Sequence, residues 1–162
     1  MSKNDMKTKI IIIAIIVVAI ITAIVAKSIV NGEKNVKGPL EKIMGRLYKN
    51  IPPQNLPMML NNIELNAENI ESYIGRSDIK FKEALANESM TGSIAHSIVL
   101  LRLEDAKEAA DVVAKIKESA NPGKWICVEA SKVSVRSKGD LVMLLMTNNS
   151  LEPSLIANFK SL

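Results

Sequence analysis

His96 is the only imidazole in the chain, and Ser97 follows it directly. A histidine beside a serine raises the prospect of general-base and nucleophile chemistry. The surrounding residues, Ala95-His96-Ser97-Ile98-Val99-Leu100-Leu101-Arg102, read as a strand, on which neighbouring side chains point to opposite faces. His96 therefore shares a face with Ile94, Ile98, Leu100 and Arg102 rather than with Ser97. That placement predicts a packed or hydrogen-bonded histidine before a catalytic one. Cys127 lies within Trp125-Ile126-Cys127-Val128, an apolar setting for a thiol whose reactivity would need an electropositive niche. A buried small hydrophobe is the expected role. Ser77-Asp78-Ile79-Lys80 has the Ser-x-x-Lys spacing of penicillin-binding enzymes, whose serine is acylated. The companion Ser-Asp-Asn and Lys-Thr-Gly motifs are missing from the sequence.

One histidine and one cysteine cannot build a zinc site of nitrogen and sulfur ligands, nor an intramolecular disulfide. No glycine loop for phosphate, no His-Glu-x-x-His, no Gly-x-Ser-x-Gly and no calcium loop occurs in the sequence. The motifs therefore name no catalytic, cofactor-binding or metal site, and no enzyme is expected. His96, Arg102 and Trp125, the sole tryptophan, remain as candidates for an interaction surface or pocket.

Composition narrows the partners. Half of the net charge of +4 in 162 residues lies in the first nine, where Lys3, Lys7 and Lys9 stand against Asp5. From Lys27 onward there are 18 basic and 16 acidic residues, too even for an extended nucleic-acid surface. Aromatic residues make up 3% of the chain, so base-stacking platforms are poorly supplied as well.

An apolar run begins at Ile10 and reaches Val30, interrupted only by Thr22, Lys27 and Ser28. As a helix it would extend about 31 Å, the thickness of a bilayer's hydrocarbon core. Nine isoleucines and three valines before Lys27 favour insertion, and Lys27 can extend its ammonium to the interface. Residues 10–30 are thus expected to be a signal-anchor, a single transmembrane helix contacting the lipid bilayer. Residues 1–9 would form a cytoplasmic tail. A cleaved signal peptide is the rival reading, since Ile24-Val25-Ala26 resembles a cleavage site, but its apolar core normally runs only about 7 to 15 residues. Lysine and arginine counts near the span are equal on its two sides; the short tail with its free amine favours the N-terminus inside and the larger domain outside.

The remainder reads as a linker over residues 31–38 and one α+β domain over residues 39–162. Pro39 suits a helix start, and Leu40, Ile43, Met44 and Leu47 follow at helical spacing until Pro52-Pro53. Residues 53–65 carry no firm signal. Asn66 is placed to cap a short helix over residues 67–74 that Gly75 would end, and residues 81–86 look like a further helical turn. Residues 94–103 are expected to form a central strand, and residues 104–120 a helix buried through Ala106, Ala109, Ala110, Val113 and Ile116. Strands are expected over residues 125–128, around Val133 and Val135, and over residues 141–146. Asn149 or Ser150 would cap a last helix carrying Leu155, Ile156 and Phe159. The second half thus reads β-α-β-β-β-α, and the whole is predicted to be a two-layer domain with helices on a mostly antiparallel or mixed sheet.

The segments Ala95-His96-Ser97-Ile98-Val99-Leu100-Leu101-Arg102, Lys124-Trp125-Ile126-Cys127-Val128 and Gly139-Asp140-Leu141 resemble a group of uncharacterised small extracytoplasmic proteins of Firmicutes-type bacteria. Their domains are held at the membrane by a lipid or a single span, and have no assigned activity. The resemblance covers roughly residues 52–162 and implies export to a bacterial cell envelope. Together these readings predict a membrane-tethered extracytoplasmic interaction or assembly module, with an envelope protein or a second copy of itself as partner. Two alternatives remain: a small-ligand-binding or sensor domain, and an envelope hydrolase or transferase using His96 or the Ser77/Lys80 pair.

Overall fold

The structure is a computed structural model that describes residues 34–148 and 150–162. The expected cytoplasmic tail, the anchor and the first residues of the linker lie outside the described residues. Within them, no helix is long and apolar enough to cross a membrane.

Five strands form one antiparallel sheet, β1 (Leu60–Leu65), β2 (Glu83–Ser89), β3 (Ser97–Arg102), β4 (Lys132–Lys138) and β5 (Leu141–Thr147), in the spatial order β1-β2-β3-β5-β4. Among the described residues four α-helices accompany it: α1 (Leu40–Leu47), α2 (Glu71–Ile74), α3 (Ala109–Ser119) and α4 (Glu152–Ser161). The architecture is α+β, as the sequence led us to expect. The number of layers is not. Side-chain alternation sends Leu85, Ile98, Leu100, Leu141, Met143 and Leu145 to one face, where α1 and α4 cover them. Ala84, Ala86, Val99, Leu101, Val142 and Leu144 point to the other face, under α2 and α3. Because β3 and β5 are apolar at every position over most of their length, both faces need cover, and the domain has three layers instead of two.

Local sequence accounts for most of the elements. The apolar positions of α1, Leu40, Ile43, Met44 and Leu47, are all buried, with Pro39 extended just before the helix. Asn66 Oδ1 accepts the N–H of Glu68 at 2.9 Å, but this closes a turn over residues 67–70; the α-helix starts only at Glu71, with Ile70 as its N-cap and no side chain capping it. Gly75 ends it at φ 78°, and a Cβ there would collide with the Ser119 carbonyl, so glycine is required twice over. Ser119 in turn donates to the Ile74 carbonyl at 2.6 Å, fastening α2 to the end of α3.

Four expectations change. Residues 81–86 are not helical: Glu83-Ala84-Leu85-Ala86 has helix-forming composition, but pairing with β1 and β3 on both sides draws it into the sheet as β2. Residues 125–128 form a loop, closed by the Ala130 N–H donating to the Pro122 carbonyl at 2.9 Å; Ile126 is exposed, and so is Cys127, for which burial had been expected. The second half is therefore β-α-β-β-α. The buried stripe of α3 runs through Ala109, Val112 and Ile116, leaving Ala110 on the wet side. Finally, Asn148 caps the turn into α4, its Oδ1 accepting the N–H of Ser150 at 3.1 Å and of Leu151 at 3.2 Å; Asn149 lies outside the described residues.

Candidate functional site

Polar side chains gather at one end of the sheet, where β2 ends and β3 begins. Consecutive residues of β2, Asn87 and Glu88, point to opposite faces and each anchors a separate cluster.

On the face of α1 and α4, a chain of hydrogen bonds crosses four strands. Tyr48, just beyond α1, donates its hydroxyl to Asn87 Oδ1 at 2.6 Å and meets His96 Nε2 at 2.8 Å. Asn158 of α4 fixes the approach by donating to the Leu47 and Lys49 carbonyls at 2.7 and 2.8 Å. Asn87 Nδ2 donates onward to Asn62 Oδ1 at 2.7 Å, and His96 Nδ1 lies 2.8 Å from Thr147 Oγ1. Since the single Tyr48 proton is committed to Asn87, its oxygen accepts from His96, which places the ring proton on Nε2. Nδ1 then accepts from the Thr147 hydroxyl, and no imidazole lone pair is left over. His96 is 1% exposed. Burial lowers its pKa from 6.5 to about 4 and raises that of Tyr48 far above the ordinary phenol range. The result is a neutral, satisfied network whose outer end, Asn62, reaches the surface.

On the opposite face the cluster is charged. Lys124 Nζ sits 2.9 Å from Glu88 Oε1, each side chain about 15% and 14% exposed. The ammonium also lies over two rings, 4.6 Å from the centre of Tyr73 and 5.2 Å from that of Trp125. Burial, aided by the Glu88 charge, raises the Tyr73 pKa. Trp125 Nε1 is buried without a hydrogen-bond partner. The tryptophan thus anchors its loop by packing.

Of the residues singled out in the sequence, His96 belongs to the neutral network, Trp125 to the charged cluster, and Arg102 to neither. Arg102 donates from Nε to Glu83 at 2.6 Å, from Nη1 to the Val36 carbonyl at 2.6 Å and from Nη2 to the Gly38 carbonyl at 2.7 Å. It holds the chain leading into α1 against the sheet, so residues 36–38 belong to the fold. Ser77 and Lys80 are both exposed on irregular chain outside any helix, and no hydrogen bond joins them. Ser97 faces away from His96, its Oγ unpartnered. Among the described residues no cluster of three or more His, Cys, Asp or Glu side chains is placed to hold a metal ion.

Two further surfaces lie along the open edge strand β1. At its start Met58, Met59 and Met90 are 69%, 67% and 58% exposed. Beyond its end a groove of about 480 Å³ runs over Leu65, Ala67, Ile79 and Phe81, rimmed by Glu64, Lys80, Lys82, Glu83 and Glu104. Sequence reasoning missed the methionines, Tyr48, Asn62, Asn87 and Thr147. The methionine run Met58-Met59 was the only available signal, since the neutral polar residues come together through strand order alone.

No family model, no curated protein and no solved structure matches the chain.

Proposed function

We propose that this protein is a membrane-tethered extracytoplasmic interaction or assembly module of the bacterial cell envelope, acting without catalysis. The observation that carries the reading is the free β1 edge with exposed methionines at its start. Contiguous exposed apolar surface and an unpaired strand edge are both features that partner chains use. The apolar residues 10–30 supply the tether, and the resemblance of the later segments to exported proteins supplies the setting. His96 supports the non-catalytic part, because its ring is sealed at 1% exposure with both nitrogens engaged.

The test is a cross-linked membrane pull-down of the full-length chain, with a control that keeps residues 1–38 and lacks residues 39–162. A partner, or a second copy, recovered only with the intact chain is the expected result. Equal recovery with both chains removes the assembly role.

The groove beyond β1 favours a second reading, a small-ligand-binding or sensor domain. A rise in thermal stability with wall fragments, nucleotides or metals would favour it, and a flat screen at ligand concentrations far above any useful Kd would set it aside.

A further inference from the structure

The sheet has two open edges, and they are not equally protected. Antiparallel alternation fixes which backbone groups face outward. Met90 N–H donates to the Met59 carbonyl at 3.0 Å, which makes this facing pair a hydrogen-bonded one. Counting along the register, Asn61, Ile63 and Leu65 turn their amides to β2, and Leu60, Asn62 and Glu64 turn theirs to the open side. The Glu64 carbonyl already accepts from Asn69 Nδ2 at 3.2 Å, so the Glu64 amide is the last backbone group of the edge left to pair. Within β1 the only charge is Glu64. By contrast β4 carries Lys132, Arg136 and Lys138, the sort of cationic guard that keeps edge strands from pairing.

From this we infer that β1 pairs antiparallel with β1 of a second copy of this chain, so that two five-stranded sheets join across a two-fold axis. The inference rests on the interaction reading above and names its partner. Outward-facing residues must face one another, and the register with the fullest overlap sets Asn62 opposite Asn62 of the other copy, with Leu60 opposite Glu64. No like charges meet in that register. An isologous contact needs each surface to complement itself. Here the start of β1 offers projecting methionines and its far end offers a groove floored by Leu65, Ala67, Ile79 and Phe81. Antiparallel pairing brings the methionines of each copy to the groove end of the other.

The experiment uses the full-length chain in membranes, with Cys127→Ser to remove the native exposed thiol. In that background Asn62→Cys, treated with a short bismaleimide, is expected to give a product of twice the chain mass. Val133→Cys on the β4 edge serves as the control and is expected to stay at single mass. Asn62→Lys sets two ammoniums across the axis and is expected to weaken the dimer about tenfold by sedimentation in detergent, with thermal unfolding showing that the fold persists. Equal dimer yield at the two edges overturns the inference. A cross-link from residue 62 to a different protein overturns the second copy as partner and leaves the interaction reading intact. No product from either edge overturns the pairing with a second copy, while the interaction reading is decided by the pull-down.

Discussion

Asn87 and Glu88 are neighbours in one strand, yet the clusters they anchor solve the burial of polar groups in opposite ways. On the Asn87 side, Tyr48, His96 and Thr147 exchange hydrogen bonds as neutral groups, and each donor has an acceptor. On the Glu88 side, a full positive and a full negative charge are brought together under two aromatic rings. The neutral network is sealed more deeply because hydrogen bonds alone can satisfy it. An ion pair at equal depth would cost more desolvation than its attraction returns, and Lys124 and Glu88 keep a little solvent contact. The two clusters therefore fail under different insults, one to charge removal and the other to acid.

Charge removal is expected to have the largest effect. Lys124→Met leaves Glu88 without its cation and should lower unfolding free energy by about 3 to 5 kcal/mol in urea titrations. Adding Glu88→Leu should restore most of it; a double variant no more stable than the single one would show that Lys124 acts by packing alone.

Acid comes next. His96 has a folded pKa of about 4, below its ordinary 6.5. Its contribution is fully present above the unfolded value and is lost as pH falls toward the folded one, since the unfolded chain takes up the proton first. At about 1.4 kcal/mol for each pH unit, this group should remove about 3 kcal/mol of stability between pH 7 and pH 4. His96→Gln, which does not titrate, should show a pH dependence smaller by that amount, and an unchanged profile would place the acid sensitivity elsewhere.

A milder cut through the neutral side is Tyr48→Phe, which strands His96 Nε2–H and Asn87 Oδ1 and should cost about 2 kcal/mol. Combined with Lys124→Met it should be additive to within about 0.5 kcal/mol, because the clusters face apart. Strong coupling would instead mean that β2 transmits strain between them. The smallest effect is expected from the exposed pair Lys115–Asp111, 2.9 Å apart on α3. Asp111→Asn should lower stability least of all these variants and only at low salt, which separates the value of a wet ion pair from that of a sheltered one.

The parts of this arrangement carried by short-range patterns were legible in the sequence. The spacing of Leu40, Ile43, Met44 and Leu47 gave α1, and the uninterrupted apolar runs around Ile98 and Leu144 gave β3 and β5, two of the three interior strands. Which face His96 occupies followed from alternation alone. What escaped was set by tertiary pairing. Glu83-Ala84-Leu85-Ala86 is a strand only because β1 and β3 flank it, and Trp-Ile-Cys-Val is a loop because no strand is beside it to receive its backbone. The partners of His96 come from Tyr48 and Thr147, 48 and 51 residues away, and no local pattern links them.

The order β1-β2-β3-β5-β4 has a bearing on how the chain acquires its structure as it is made. Strands β1 to β3 can zip by successive neighbouring pairings, but the slot beside β3 stays vacant through α3 and β4 and is filled only by β5. Until then the Ile98-Val99-Leu100-Leu101 edge is a bare apolar template, open to any extended chain nearby. The last 22 residues also bring α4, so one late segment both completes the sheet and closes the lid over α1. Assembly is thus gated at its end: closing loops of this length is entropically slow, and a nascent chain arrested before Leu141 would hold an aggregation-prone intermediate.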